Sequence, residues 1–218
     1  NNSTRDNILF VNKALIYPCG KHLALRDLSN IYDNSDTHKN DQLFIFLEQD
    51  IKEINCLNVS RDSYLLLVTT ENISHTEISV YNLSKISFNS FTIFKPRRKI
   101  MTTEYTKFIH AAFTQDGNII CALGLNKTGN LNLIVYDIQN FKKFQNENYE
   151  PKFTVDIPQG ANKISFLNNK IFCISGKNYL GFWICYESMC KEIKSNSIHF
   201  NKNYTDHVWI RDAKYPLC

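Results

Sequence analysis

The sequence predicts an all-β protein, a β-propeller of about four blades plus the first strand of a fifth. Short apolar runs alternate with polar turns, and no stretch sustains the 3.6-residue apolar period of an amphipathic helix. One unit of strands and turns also recurs along the chain. Its turn positions are Lys13, Asp62, Asp116, Asn169 and Asp212, at steps of 49, 54, 53 and 43 residues. Steps of about 40 to 55 residues with three or four strands each are typical of propeller blades.

The clearest unit runs from residue 108 to residue 137. An apolar run, Phe108–Phe113, is followed by a polar turn and a second run, Ile119–Leu123, and a third run covers Leu131–Asp137. The turn contains Asp116-Gly117, and Asp-Gly between two β-rich runs is a strong hairpin signal. This unit therefore predicts three consecutive antiparallel strands.

The other units follow the same frame, and together they divide the chain into blades. A β-sandwich also has short strands at even spacing. We favour the propeller because whole units recur, with third strands that end alike in Val80-Tyr81-Asn82 and Val135-Tyr136-Asp137. An open array would leave one blade face bare, so we expect a part of a larger propeller. The predicted blades are 7–35, 43–95, 98–140 and 152–195, with the start of the next at 205–218.

The composition is that of an ordinary globular chain. Of 218 residues, 43% are hydrophobic and 21% are charged, and no apolar run is long enough to span a membrane. The first residues, Asn1–Asp6, do not have the layout of a secretory signal. The seven cysteines are scattered and none are spaced C-x-x-C, which favours reduced core thiols over a disulfide framework or a zinc site. These observations together predict a cytoplasmic protein.

One dense basic run is the candidate binding feature. The net charge of +4 is spread along the chain, but Lys95, Arg97, Arg98 and Lys99 lie close together. The run falls between the strands that contain Val80 and Phe108, which predicts a blade's outer strand or its adjoining loop. They could attract an anionic partner, such as an acidic protein surface or the acidic tails of tubulin. The alternative is a solubilising loop that protects an edge strand. Nucleic acid is not expected, since no aromatic residues alternate with the basic ones.

The sequence offers no set of residues suited to catalysis, and no cofactor or metal site is predicted. Nucleotide-binding, metalloprotease and serine-hydrolase motifs do not occur. His110 alternates with apolar residues on a predicted strand, which favours a structural role. The pair Asp206-His207 could form an acid-oriented base, but a buried hydrogen-bonded role is the better interpretation. The sequence thus predicts a protein that is not an enzyme.

No ligand or catalytic role is predicted for the cysteines of the last complete unit or for the two tryptophans. Cys173 lies in an apolar run and is predicted to be a small core residue. Cys185 and Cys190 flank a turn, and two thiolates without further ligands make a poor zinc site, so they are predicted to be thiols. Trp183 and Trp209 are predicted to pack between blades.

Taken in order, the units resemble WD-repeat proteins, and one family in particular. The collinear series is similar to the first propeller of the cilia- and flagella-associated protein 57 family and covers nearly the whole chain. The matching stretches are Asn7–Phe10, Leu15–Gly20, Ile54–Asn82, Lys107–Asp116 and Asn203–Ile210. The chain departs from the WD-repeat pattern in that no blade ends in Trp-Asp, and residues 140–151 form a polar insertion.

The resemblance implies a WD40-type propeller and a non-enzymatic axonemal scaffold. Such a protein would support inner dynein arm assembly and the regulation of ciliary or flagellar motility, with axonemal, dynein-arm or microtubule-associated proteins as partners. The alternative is a general cytoplasmic WD40 adaptor in a complex unrelated to cilia. A third class, an enzyme built on a propeller, would need carboxylates or histidines clustered around the central channel, and the sequence offers no such cluster.

Overall fold

The structure is a computed structural model that describes residues 7–28, 42–47, 50–85, 95–139, 149–187, 189–193, 203–204, 206–207 and 209. Within these residues, sixteen β-strands form four sheets of four strands each. A single 3₁₀ turn, Leu83–Lys85, is the one helical element among them. No helix in this described part of the chain is long and apolar enough to cross a membrane.

Strands are numbered in chain order, four to a sheet. The first sheet consists of β1 (Leu9–Val11), β2 (Ala14–Cys19), β3 (His22–Asp27) and β4 (Gln42–Phe46). The second consists of β5 (Ile51–Val59), β6 (Leu65–Asn72), β7 (Thr76–Asn82) and β8 (Arg98–Thr102). The third consists of β9 (Tyr105–Phe113), β10 (Ile119–Asn126), β11 (Leu131–Asp137) and β12 (Phe153–Asp156). The fourth consists of β13 (Ala161–Phe166), β14 (Ile171–Gly176), β15 (Tyr179–Cys185) and β16 (Cys190–Ile193).

Each sheet is an antiparallel meander in which every strand pairs with the next one along the chain. The first strands of the sheets lie side by side: β5 contacts β1 and β9, and β9 contacts β13. Four meanders whose first strands adjoin around one axis are the blades of a β-propeller. The predicted all-β propeller fold with about four blades is therefore confirmed.

Neighbouring blades pack face to face through apolar side chains. Three buried clusters fill the spaces between blades one and two, two and three, and three and four. Strand β7 of blade two is buried along its whole length from Thr76 to Tyr81, and β11 of blade three from Leu131 to Tyr136. These strands are covered on both faces, so their sequences do not show a simple alternation of apolar and polar residues.

A β-bulge occurs at the same place in three inner strands. In β5 the pairing register passes from Ile54 to Cys56, which leaves Asn55 outside the ladder. Ile109 is bypassed in the same way in β9, and Asn162 in β13. The bulged residues are 54 and 53 positions apart, the same steps that separate the turn positions of these blades. Bulges bend a strand and increase its twist, so the inner strands share one curvature.

In the first three blades the fourth strand lies beyond the blade limit predicted from the sequence, whereas β16 lies within the range 152–195 predicted for blade four. Strand β4 pairs with β3, β8 pairs with β7, and β12 pairs with β11. The predicted ranges 43–95, 98–140 and 152–195 each assign such a strand to the following blade. Longer stretches of chain separate the third strand from the fourth than separate the other strands within a blade, and they resemble blade boundaries in the sequence. Only the hydrogen-bonded ladder shows which sheet each fourth strand joins.

The clusters between blades should account for most of the stability. Ile120 is fully buried between blades two and three, whereas Ile73, in the β6–β7 connection, is 71% exposed. We expect Ile120→Ala to lower the free energy of unfolding by about 2–5 kcal/mol through lost burial and a cavity. The matched change Ile73→Ala should alter it by less than about 0.5 kcal/mol. Urea denaturation of both variants measures the difference, and equal effects would contradict the packing described here.

Candidate partner-binding surface

Polar links join the inner strands of successive blades at one level. Cys56 Sγ lies 3.6 Å from the carbonyl oxygen of Ala111, and the backbone N–H of Ile164 donates to His110 Nδ1 at 3.4 Å. His110 is 4% exposed, so its ring ties blade three to blade four in the structural role predicted for it. Buried polar groups that pair across an interface hold it in one arrangement.

The turns between the first two strands of blades two and three have the same construction. In one turn Ser60 Oγ donates to Asp62 Oδ1 at 2.5 Å, and in the other Thr114 Oγ1 donates to Asp116 Oδ1 at 2.6 Å. Such side-chain bonds within a turn fix its backbone. We call the surface formed by the three turns 60–64, 114–118 and 167–170 the turn rim.

Hydrogen bonds connect the turns of the turn rim from blade to blade. Arg61 Nη1 donates to Gln115 Oε1 at 2.7 Å, and Gln115 Nε2 in turn donates to the carbonyl oxygen of Leu167. The backbone N–H of Asp116 donates to Asn169 Oδ1 at 2.9 Å. Three neighbouring turns are therefore held as one continuous surface. The sequence indicated each turn but not the bonds between them, because those bonds join residues about 50 positions apart.

The candidate basic run lies at the turn-rim end of blade two, on its outer strand. The backbone N–H of Arg97 donates to the carbonyl oxygen of Val80 at 2.7 Å, just before β8 begins. The same end of β7 adjoins the second-blade turn, since Leu83 N–H donates to Tyr64 O at 2.8 Å. The sequence interpretation left open an outer strand or its adjoining loop, and the run spans both, with Arg98 and Lys99 on β8 and Lys95 and Arg97 just before it.

The four basic residues differ in their surroundings. Lys95 and Arg97 are exposed, whereas Arg98 and Lys99 are half-buried. Lys99 Nζ lies 3.5 Å from Glu77 Oε2. Partial burial, and then the charge of Arg97, lower the pKa of Arg98. Lys95 and Arg97 are thus the two members whose charges face solvent most fully.

A buried carboxylate explains the position of Lys99. Glu77 is 5% exposed on β7, accepts a hydrogen bond from Ser79 Oγ, and has His75 Nε2 at 3.8 Å. A buried charge needs such partners, because removal from water is costly. Sequence reasoning missed this group, although polar residues at alternate positions of an otherwise apolar strand could have indicated it.

The described residues that follow blade four contact that blade. Asn203 bridges to Lys177 in an antiparallel pair, and Trp209 Nε1 donates to Ser165 Oγ at 2.9 Å. Trp209 also meets Phe182 edge-on, with ring centroids 5.9 Å apart. Most of the predicted fifth-blade range 205–218, including Asp212 and Cys218, lies outside the described residues, as does most of the polar insertion 140–151.

His207 ties this segment to blade four. Ser165 Oγ and Ser175 Oγ contact the two ring nitrogens of His207, the second at 2.7 Å. The Asp206 carboxylate lies 2.5 Å from Lys163 Nζ and accepts the backbone N–H of His207. Among the residues that the structure describes, no group of three or more His, Cys, Asp or Glu side chains could hold a metal ion.

One cysteine assignment was wrong. Cys185 and Cys190 are joined by a disulfide across the β15–β16 hairpin, whereas the sequence analysis predicted free thiols. Their five-residue separation does not reveal that the hairpin places them directly opposite each other. Cys173 is a buried core thiol as predicted, and Trp183 is buried between blades three and four, stacked on Phe172.

Comparisons with known proteins identify the class of fold. No protein-family model matches the chain, and no characterised protein matches it in sequence. Hsv2 from Kluyveromyces marxianus matches in structure with a TM-score of 0.60 and 11% identity, over 86% of this chain and 59% of that one. Hsv2 from Kluyveromyces lactis gives 0.60 and 13%, over 86% and 60%. The Dos1 propeller gives 0.53 and 11%, over 90% and 47%.

These matches show that the chain is a β-propeller of the WD40 type. The identities are low, so the likeness is one of fold. The chain spans about 60% of the length of the Hsv2 structures and 47% of the Dos1 propeller.

Two matching positions of the turn rim have the same left-handed backbone conformation, one occupied by glycine and the other by serine. Gly117 has φ +70°, and Ser63, at the matching position of blade two, has φ +62°. A side chain in this left-handed region costs about 1 kcal/mol. We therefore expect Gly117→Ser to lower the free energy of unfolding by about 1 kcal/mol, and Ser63→Gly to raise it by about 0.5 kcal/mol after the entropy of glycine is subtracted. Urea denaturation measures both, with Ser63→Ala as the control that should change little.

Proposed function

We propose that this chain is a non-enzymatic protein-interaction scaffold of the WD-repeat type. The turn rim is the observation that supports this proposal best. Its turns are fixed internally by Ser60 and Thr114 and are joined to each other through Gln115. Loops held on a rigid framework lose little conformational freedom when they bind. Binding residues are found disproportionately on such loops.

The basic run indicates that the proposed partner is acidic. Lys95 and Arg97 are exposed at the turn-rim end of blade two. An acidic protein surface would be attracted to them over about a Debye length, roughly 8 Å at physiological salt. Arg98 and Lys99 would contribute less, because Lys99 already pairs with Glu77 and Arg98 is half-buried.

A further blade is part of the same proposal. Phe10 and Phe44 belong to the face of the first sheet that points away from the cluster shared with blade two, and they are 69% and 37% exposed. Apolar side chains on a sheet face are normally covered by another sheet. We infer that the remaining blades of the propeller, from the same or a longer chain, cover this face.

The narrower form of the proposal is an axonemal role. It is supported by the resemblance to the cilia- and flagella-associated protein 57 family, which is carried by the collinear series of stretches from Asn7–Phe10 to Asn203–Ile210. In that role the protein would act as a scaffold for inner dynein arms and their regulation. A general cytoplasmic adaptor is the alternative, and it would use the same rim.

Localisation of the tagged full-length protein separates these two forms. We expect retention on the detergent-resistant axoneme of flagellated cells, since scaffold proteins remain with the structures that they bind. A diffuse pool removed completely by detergent would contradict the axonemal role and leave the adaptor. The interaction surface would then be sought by pull-down with the turn rim intact or altered.

Charge reversal tests the partner chemistry. We expect the double variant K95E/R97E to bind a poly-glutamate peptide about tenfold more weakly than the wild-type chain at low salt, with a smaller difference at high salt. The matched variant K127E/K177E changes the net charge equally, at exposed lysines in the β10–β11 and β14–β15 connections. Fluorescence anisotropy measures both affinities. An equal loss in the two variants would show a general charge effect and no site at the basic run.

A further inference from the structure

We propose that Cys185 and Cys190 form a reversible thiol–disulfide site that controls the outer edge of blade four. Cys185 ends β15 and Cys190 begins β16, and their Cα atoms are 4.1 Å apart. The neighbouring pair is hydrogen-bonded, since Tyr186 N–H donates to the carbonyl oxygen of Met189 at 2.7 Å. Cys185 and Cys190 therefore occupy a non-hydrogen-bonded pair, the type in which antiparallel strands come closest.

The hairpin holds the two sulfur atoms together without help from the disulfide. The pairing of β15 with β16 continues from Cys185 and Cys190 to Phe182 and Ile193. On its other side, Cys185 N–H donates to the carbonyl oxygen of Lys170 at 2.8 Å. After reduction, the thiols would thus remain opposite each other at a high effective concentration. Cys190 belongs to the buried cluster between blades three and four and Cys185 packs against it, so packing and the strand ladder would hold both residues in place in either redox state.

The site is accessible to small thiols and disulfides. Tyr186 is 45% and Met189 is 52% exposed beside the cysteines, and Cys185 itself is half-buried. Cys190 is 7% exposed. Cys185 is therefore the sulfur that an external reagent meets first, and Cys190 is placed to resolve the resulting intermediate.

The other thiols of the core are protected from this chemistry. Cys56, Cys121 and Cys173 are buried and unpaired in disulfides. Burial raises the pKa of Cys121 and raises that of Cys173 to about 12. Thiol–disulfide exchange requires the thiolate, so Cys121 and Cys173 remain unreactive while the blades are folded, and burial keeps external reagents away from Cys56. Cys19 is exposed and can react with an external disulfide, which makes it an internal measure of reagent access.

Oxidation by a small disulfide such as oxidised glutathione proceeds in two exchanges. The Cys185 thiolate attacks one sulfur of glutathione disulfide, forms a protein–glutathione disulfide, and expels one glutathione thiolate. The Cys190 thiolate then attacks the Cys185 sulfur and expels the second. The protein dithiol loses two electrons and two protons, and one glutathione disulfide becomes two glutathione molecules.

The disulfide acts on β16. Within the described residues β16 has one strand neighbour, β15, and spans only Cys190–Ile193 with Lys191 and Glu192 exposed. A short edge strand opens locally with ease, and a covalent link at its first residue limits that opening. The redox state would therefore set whether Tyr186 and Met189 present a fixed or a mobile surface on the blade edge.

Redox titration of the folded wild-type chain tests the proposal. The chain is equilibrated in reduced and oxidised glutathione at graded ratios, the free thiols are alkylated, and the peptides are identified by mass spectrometry. We expect Cys185 and Cys190 to pass together from alkylated to disulfide-bonded, with Cys56, Cys121 and Cys173 unlabelled throughout. Amide hydrogen exchange at Lys191–Ile193 should be on the order of tenfold faster in the reduced form.

Substitution of one cysteine distinguishes the attacking role of Cys185 from the resolving role of Cys190. In Cys190→Ser we expect a stable glutathione adduct to accumulate at Cys185, because the resolving thiol is gone. In the wild-type chain a stable adduct should accumulate at Cys19 and not at Cys185. The proposal is overturned if the pair remains dithiol in fully oxidised glutathione, or if the disulfide is reduced only when the chain unfolds. Unchanged hydrogen exchange between the two redox states would overturn the claimed effect on β16.

Discussion

The packing of neighbouring sheets against each other is the interaction on which the rest of this structure depends. Blades two and three are covered on both faces, so whole strands such as β7 and β11 are withdrawn from water. Polar groups on these strands must then find partners inside the protein. Thr76 Oγ1 donates to the carbonyl oxygen of Tyr105 at 3.2 Å, and Asn132 Nδ2 donates to Asp156 Oδ1 at 2.7 Å. These bonds cross to the adjacent strand or blade and so fix how the sheets meet.

The need of buried polar groups for partners inside the protein also connects the core to the surface that we propose for binding. His110 satisfies a backbone group of the next blade, and Arg61, Gln115 and Asn169 extend such links to the turns. A partner therefore meets several blades that are already fixed relative to each other. In a propeller this rigidity, and not a cleft with reactive groups, is what suits a surface to interaction.

Position within a blade decides what each cysteine can do. Cys56, Cys121 and Cys173 lie buried on strands within the blades, and burial raises the pKa of Cys121 and Cys173 so that little thiolate forms. Cys185 lies half-buried at the end of β15, where a reagent can approach, and the hairpin aligns its sulfur with that of the buried Cys190. Chemically identical residues are thus inert or reactive according to the strand that carries them.

By itself the sequence determined the strands, the turns and their repetition, because these depend on local patterns such as Asp116-Gly117 and on the recurrence of Val80–Asn82 in Val135–Asp137. It also indicated an outer strand or its adjoining loop for the basic run. Only the tertiary structure decided which sheet receives each fourth strand, that Lys99 serves the buried Glu77, and that Cys185 meets Cys190. The physical reason is that these outcomes depend on hydrogen-bond register and burial between segments, and local patterns do not encode which segments meet.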